Sequence, residues 1–293
     1  MPSARSGPAT LELVAGPSRA VLDPARGGRV ASWAVGGEQL LVGPPDDTDS
    51  SIHWGCFVMA PWPGRLANGR FEWGGRTVQL RRTHGRHAIH GLTWNRTWAV
   101  DSVAAAAASL SIELPRDEWP MGGRVRQRVR LSASSLVLEA TIEADEAMPA
   151  ALGWHPWFLR RGNPRLRVDA ATYEVTEAMV PTGAAAAVGG SADLRAGPRI
   201  GRRRLDLAYL EARSPAVVTW PDLELRIAFE PAPVPLVVYT PPGSFCVEPL
   251  TATPNALGLA SRERRLAGVR ELGAGERLGA KVILSVAPAS GRA

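Results

Sequence analysis

Hydrophobic and polar residues alternate along several stretches of the chain, which is the period of a strand with one buried face. The clearest stretch is 124–131, where Val125, Val129 and Leu131 fall on one side and four arginines on the other. Other short apolar runs, bounded by glycine, proline or aspartate, recur from end to end. They predict strands at 11–14, 20–23, 29–35, 136–142, 223–229, 236–240 and 281–287.

Helical signals are weak by comparison. The alanine runs at 104–108 and 184–187 favour helix by propensity alone, but they are short and not amphipathic. We interpret them as turn or strand, and 183–204 as a mobile loop. The 30 glycines and 25 prolines agree with many short strands joined by turns. The pattern predicts an all-β fold: a single domain over residues 1–293, built as a large antiparallel sandwich or barrel with a broad concave face.

Charge and composition narrow the class of protein. A net charge of +6 and a pI near 10.2 raise the question of nucleic acid, but the arginines are scattered and form no long basic arm. The sequence has no apolar run of about 18 residues and no signal-peptide pattern at its start. Cys56 and Cys246 lie in apolar runs, which favours buried thiols in a reducing compartment. We expect a cytoplasmic protein, monomeric or weakly dimeric, that binds neither nucleic acid nor membrane.

The spacing of His84, His87 and His90 raises the question of a metal site. An extended chain would place His87 on the opposite side from the other two. Gly85 and Gly91 disfavour the helix that would bring all three together. We therefore predict no metal site here.

Three segments place chemically useful side chains in unusual surroundings. His155 is flanked by aromatic residues and precedes a proline that restricts its backbone. Glu248 ends an apolar strand, where partial burial would raise its pKa and make it a better base near neutral pH. Arg65 follows a Pro-Gly turn and could fork onto sugar hydroxyls. Taken singly, a packed core histidine, an exposed strand-end glutamate and a surface arginine remain open interpretations.

Taken in order, the segments resemble the aldose 1-epimerase (galactose mutarotase) family. The resemblance is carried by Pro-Gly-Arg-Leu-Ala-Asn-Gly-Arg-Phe at 63–71, Ala-Ile-His-Gly at 88–91, Gly-Trp-His-Pro-Trp-Phe at 153–158 and Cys-Val-Glu-Pro at 246–249. The segment 179–183 also looks like a turn of this family. Leu92 stands where the family often has a second glycine, a departure that concerns the preferred sugar.

The resemblance implies a galactose mutarotase-like β-sandwich with an open sugar-binding cleft and no cofactor. It implies an isomerase acting on an aldose such as glucose or galactose, with this small-molecule sugar as its partner. Glu248 would be the catalytic base and His155 the acid, with His90 as a second histidine near the ring oxygen. Arg65 and Asp206 would bind the substrate.

Other functions stay open beside this one. A hexose 6-phosphate could be the substrate if Arg70, Arg81 or Arg86 converge near its phosphate. A carbohydrate-binding β-sandwich without catalysis would keep the aromatic lining and could lose the acid or base. A glycoside hydrolase would use Glu248 with Asp206 as its carboxylate pair, although the two matched histidines favour the epimerase.

Overall fold

A computed structural model describes residues 9–45, 52–232 and 234–289, and their regular structure is almost entirely β-strand. The strands are β1 (Leu11–Ala15), β2 (Ser18–Asp23), β3 (Arg29–Val35), β4 (Glu38–Gln39), β5 (Cys56–Met59), β6 (Arg65–Leu66), β7 (Arg70–Trp73), β8 (Arg76–Gln79), β9 (Ala88–Ile89), β10 (Ala99–Ala104), β11 (Ala107–Glu113), β12 (Arg124–Leu131), β13 (Ser135–Glu143), β14 (Met148–Ala150), β15 (Gly153–Leu159), β16 (Arg165–Asp169), β17 (Thr172–Glu177), β18 (Val180–Ala187), β19 (Asp206–Thr219), β20 (Leu223–Glu230), β21 (Val234–Tyr239), β22 (Ser244–Pro249), β23 (Arg270–Leu272) and β24 (Arg277–Pro288).

Helical structure in the same ranges is short. It comprises α1 (Ser261–Leu266) and the 3-10 turns Pro24–Arg26, Ala67–Gly69, Gly190–Ala192 and Ala256–Gly258. None of the helices in the described part of the chain has the length and apolar character needed to cross a membrane.

Two layers of antiparallel strands build the molecule, and the long strand β19 belongs to both. Its first part pairs with β21 and β17, and its last part pairs with β20 and β16. The first layer runs β3-β5-β15-β22-β21-β19-β17-β18. The second runs β10-β11-β12-β13-β24-β20-β19-β16. By passing from one layer to the other, β19 joins them at one side.

A hydrophobic core fills the space between the layers, because alternate residues of each strand face it. On β12, Val125, Val129 and Leu131 are buried while the intervening arginines are exposed or half-buried, as the alternation predicted. Gln127 is the polar member of this buried row. Its Nε2 donates a hydrogen bond to the carbonyl oxygen of Gly28 at 2.7 Å, so burial leaves the amide partnered.

The predicted all-β fold is confirmed, and the predicted strands coincide with β1, β2, β3, β12, β13, β20, β21 and a longer β24. The alanine runs are also turn and strand: 104–108 spans the β10–β11 hairpin, and 184–187 ends β18. The loop predicted over 183–204 is wrong at its start, because β18 pairs with β17 there. A run of alanines has no alternation of apolar and polar side chains that would predict a strand. The strand forms through its hydrogen-bonded pairing with β17.

Candidate active site

Strand register assembles the floor of a cleft on the side of the first layer that faces away from the main core. His155 on β15 pairs with Phe57 on β5, and Trp157 pairs with Cys246 on β22. In an antiparallel pair, a step of two residues back along one strand corresponds to two residues forward along its partner. Glu248 therefore lies opposite His155. Three neighbouring strands thus bring the two ionisable side chains together.

The imidazole of His155 is fixed by rings on three sides. It stacks on Phe57 with ring centroids 5.0 Å apart and on Trp157 with centroids 5.1 Å apart. His90 meets it edge-on at 4.9 Å with an interplanar angle of 89°. In this orientation Nε2 of His155 lies 3.3 Å from Oε1 of Glu248, and each side chain is only 5% exposed. Packing therefore aims the imidazole at the carboxyl group.

The loop that carries His90 is held by a close approach of two backbone segments. His90 has a φ of 60° and Gly91 a φ of 75°. A Cβ at Gly91 would lie 2.0 Å from the carbonyl oxygen of Ala60, so only glycine fits. The N–H of His90 donates to the carbonyl oxygen of Gly64 at 2.9 Å. Backbone constraints thus place the ring of His90 against His155.

Arg65 and Asp206 face each other across one side of the cleft, with Nη1 and Oδ2 3.8 Å apart. Arg65 opens β6 after Gly64, whose φ is 65° and whose added Cβ would lie 2.6 Å from Pro254. The carbonyl oxygen of Arg65 accepts a hydrogen bond from the N–H of Asn255 at 2.7 Å. Asp206 begins β19 and is half-exposed. The two side chains present a cation and an anion, both of which can bind hydroxyl groups.

Unpartnered polar atoms gather around this cleft. Of eleven buried side-chain N and O atoms without a hydrogen-bond partner in the described residues, four belong to the cleft lining. They are Arg65 Nε, His90 Nδ1, His155 Nδ1 and Trp157 Nε1. Buried polar groups are nearly always hydrogen-bonded in native proteins. Such a cluster is typical of a site where a bound molecule supplies the partners.

The cleft has a volume of about 540 Å³, within the range of small-molecule sites. All five residues singled out in the sequence line it: Arg65, His90, His155, Asp206 and Glu248. The rest of the lining is formed by Ile52, His53, Gly64, His84, Ile89, Trp157, Thr176, Met179, Pro181, Ala208, Val237, Tyr239 and Pro254. Neither the motifs nor the family resemblance identifies His53, His84 or Tyr239 as cleft residues. Tyr239 lies two residues after Val237 on the apolar strand β21, and this spacing is the sequence signal that puts the two side chains on one face.

Residues 11–285 match the sequence model of the aldose 1-epimerase family. The chain belongs to this family. It is 31% identical over 130 residues to the uncharacterized protein YphB of Escherichia coli K12, and the match covers 43% of each protein. The uncharacterized protein YihR of the same organism is 31% identical over 108 residues, which is 36% of this chain and 34% of YihR. The matches thus span less than half the length of these relatives.

Solved structures similar to this aldose 1-epimerase family member extend over nearly the whole chain. A galactose mutarotase-like protein from Clostridium acetobutylicum has a TM-score of 0.85 at 17% identity, with 95% of each chain covered. A galactose 1-epimerase from Lactobacillus acidophilus NCFM has a TM-score of 0.80 at 18% identity, with 98% of this chain and 97% of that one covered. At these identities the likeness shows the fold, and the predicted galactose mutarotase-like sandwich is confirmed.

The three histidines that raised the question of a metal do not converge. His84 and His90 line the cleft. His87 is turned away, and its Nδ1 accepts a hydrogen bond from the N–H of Asn68 at 3.3 Å. The chain folds back in a turn between His84 and His87, so neither a helix nor a strand sets their spacing.

The arginines considered for a phosphate do not join the cleft either. Arg70 is exposed and lies 3.7 Å from Glu72. Arg81 and Arg86 are exposed and lie outside the lining. Among the described residues, Arg65 is the one arginine that lines this cleft.

Burial dominates the electrostatics of the paired residues. It raises the pKa of Glu248 well above its ordinary value; Asp206 adds to this rise and Arg65 opposes it. Burial also lowers the pKa of His155 well below its ordinary value, with help from His90. The pKa of His90 falls to about 3 through burial and the charge of Arg65. Within the pair, burial thus favours the arrangement in which the proton lies on Glu248.

Proposed function

We propose that this protein interconverts the α and β anomers of a neutral aldose, with Glu248 as the base and His155 as the acid. The observation that carries the proposal is the buried 3.3 Å contact between His155 Nε2 and Glu248 Oε1 on the cleft floor. In a cyclic aldose, O1 and O5 are both bonded to C1. An acid and a base that touch each other can therefore each reach one of these oxygens.

Ring opening requires removal of a proton from O1 and delivery of a proton to O5. Glu248 takes the O1 proton as the C1=O1 double bond forms and the C1–O5 bond breaks. The electron pair left on O5 takes a proton from His155. After rotation about C1–C2, His155 removes the O5 proton, O5 attacks the other face of C1, and O1 takes the proton back from Glu248. No proton or electron is consumed.

The reactive arrangement is a carboxylate on Glu248 and an imidazolium on His155, and burial opposes both charges. The charged and uncharged arrangements of the pair contain the same number of protons. One proton transfer across the 3.3 Å contact therefore interconverts them. Arg65 favours the carboxylate by lowering the pKa of Glu248, and sugar hydroxyls that hydrogen-bond to the charged forms add to this.

The remaining lining residues fit the needs of a bound sugar. His90 is neutral at pH 7 because its pKa is about 3, so it can donate to or accept from the ring oxygen region without adding charge. Arg65 and Asp206 offer a donor and an acceptor to hydroxyl groups. Trp157 stacks on the imidazole of His155 and holds this acid in place.

A neutral aldose fits this cleft better than a hexose 6-phosphate. Sites for phosphate dianions use charge-assisted hydrogen bonds from basic groups, above all from arginine. Within the described residues Arg65 is the single lining arginine, and Asp206 lies 3.8 Å from it. The arginine that could bind a phosphate is thus already faced by a carboxylate.

The test is polarimetry of freshly dissolved α-D-glucose and α-D-galactose, with the uncatalysed drift subtracted. We expect the wild-type protein to accelerate the change in rotation and Glu248→Gln to lose the acceleration. Glu230→Gln is the matched control, because Glu230 is exposed on β20 and pairs with Lys281 away from the cleft. It should behave as wild type.

Two outcomes would replace the proposal. Acceleration of glucose 6-phosphate alone would show that the substrate is phosphorylated. Sugar binding seen by calorimetry, without acceleration of any sugar in the panel, would instead identify a carbohydrate-binding β-sandwich.

A further inference from the structure

A buried thiol lies beside the acid–base pair and takes no part in the proposed reaction. Cys246 and Glu248 are two residues apart on β22, so both side chains point to the cleft side of the sheet. The sulfur of Cys246, a carboxylate oxygen of Glu248 and an imidazole nitrogen of His155 all lie within 4.8 Å of one another. All three residues are buried.

These three groups are the donors that zinc takes in proteins. Tetrahedral zinc binds cysteine sulfur at about 2.3 Å and histidine nitrogen or carboxylate oxygen at about 2.0–2.2 Å, which places neighbouring ligand atoms roughly 3.3–3.6 Å apart. The 3.3 Å contact between His155 and Glu248 already has this spacing. The sulfur of Cys246 would need to move by only about 1 Å to complete three corners of the tetrahedron.

We propose that Cys246, His155 and Glu248 form an inhibitory site for zinc or another thiophilic divalent cation. The fourth corner of the tetrahedron is left to water or a sugar hydroxyl from the cleft. Coordination releases to solvent the thiol proton and the proton that Glu248 and His155 share. The ion then occupies the lone pairs that the reaction requires, so zinc and catalysis exclude each other. Only this inhibition rests on the proposed function; the binding itself does not.

The donor set also predicts which ions bind. A thiolate and an imidazole select zinc, cobalt and copper, whereas magnesium prefers oxygen ligands in octahedral geometry. Magnesium therefore serves as the ion that should neither bind at this site nor inhibit.

Cobalt(II) tests the binding directly, because a cobalt–thiolate bond produces charge-transfer absorption. We expect wild-type protein to develop this absorption on titration with cobalt and to lose it when zinc is added. Cys246→Ala should not develop it. The matched control is Cys56→Ala, which removes the other buried thiol on β5, where Cys56 packs in the main core. That variant should keep the absorption.

Polarimetry then tests the inhibition. We expect Cys246→Ala to keep its basal activity and to need at least about tenfold more zinc for half-inhibition, since loss of even an outer-shell partner costs 10–100-fold in metal affinity. If the Cys246→Ala variant does not fold, Cys246→Ser is used for the same measurements. Cobalt absorption that is absent in wild type, or that persists without Cys246, would overturn the site. A protein without mutarotase activity that still gives the absorption would overturn the proposed function alone.

Discussion

Successive residues of β15 and β22 point to opposite faces of the first layer, and these two faces have different surroundings. Toward the second layer, Phe158 and Phe245 pack in the main core with ring centroids 5.5 Å apart. Toward the cleft, His155 and Glu248 lie buried in contact with each other. The core face carries no ionisable side chain, whereas the cleft face buries these two.

This difference separates stability from chemistry within one pair of strands. Burying polar and ionisable groups costs free energy unless they are fully partnered, and an apolar face carries no such cost. The core face therefore stabilises a sheet whose other face is unfavourable on its own. Substitutions on the cleft face should change the reaction and leave folding nearly intact, and those on the core face should do the reverse.

The largest effect is expected on the cleft face, from His155→Gln. Loss of the proton donor to O5 should lower kcat by about 10²–10⁴-fold, the usual contribution of a general acid. The free energy of unfolding in urea should change by less than about 1 kcal/mol, because glutamine keeps a polar group in the same place. His87→Gln is the control, since His87 is buried but turned away from the cleft. Equal losses of kcat in both variants would contradict the assignment of the acid.

On the core face, Phe245→Ala should lower the free energy of unfolding by about 3–5 kcal/mol, the cost of a large cavity. Phe245 is fully buried against Phe158 and Trp220, so little of the cavity can refill. Urea denaturation measures the loss. Below the unfolding transition, kcat per folded molecule should stay near the wild-type value. A fall in kcat as large as that of His155→Gln would show that the two faces are not independent.

The sequence predicts the two faces unequally. Alternation identifies β12 because one of its faces is wet, but β15 and β22 read as continuous apolar runs because both of their faces are buried. The strand alone cannot say which face meets a ligand. Family resemblance pointed to five of the residues that line the cleft. The period of β21 indicates that Tyr239 and Val237 share a face, but that this face lines the cleft depends on the cross-strand pairing of Tyr239 with Cys246 and Asp206.

Long-range backbone contacts were equally invisible. The approach of Gly91 to Ala60 joins two loops, and no local pattern encodes it. The β18 strand was missed for a related reason, since its alanines acquire their structure from the partner strand β17. What could be predicted from the sequence was therefore local periodicity and motif identity, whereas register and loop docking had to be observed.

Gly91→Ala tests whether loop docking holds His90 in place. The added Cβ would lie 2.0 Å from the carbonyl oxygen of Ala60, so the loop must shift. We expect the free energy of unfolding to fall by about 1–3 kcal/mol and kcat/KM to fall roughly tenfold. Gly85→Ala is the matched control, because Gly85 also has a left-handed φ but its Cβ would meet nothing within 4 Å. Similar losses in kcat/KM for both would assign the effect to φ strain rather than to docking.

The smallest expected effect is a change in pH dependence, and it measures how far the cleft charges reach Glu248. The acidic limb of kcat/KM reports ionisation of the base in the free protein. Asp206 raises the pKa of Glu248, so Asp206→Asn should lower that pKa and move the acidic limb to lower pH. Arg65 would lose its ion pair with Asp206 and would lower the pKa of Glu248 further, which moves the acidic limb in the same direction.

The shift should stay below about one pH unit, because Asp206 is half-exposed and solvent screens its charge. Lost hydroxyl binding would raise KM, but that change is the same at every pH and leaves the limb in place. Asp117→Asn, at an exposed position outside the cleft, should leave both KM and the limb unchanged. A limb that moves to higher pH would mean that Asp206 favours the carboxylate of Glu248, which would reverse the sign of the interaction on which the cleft face depends.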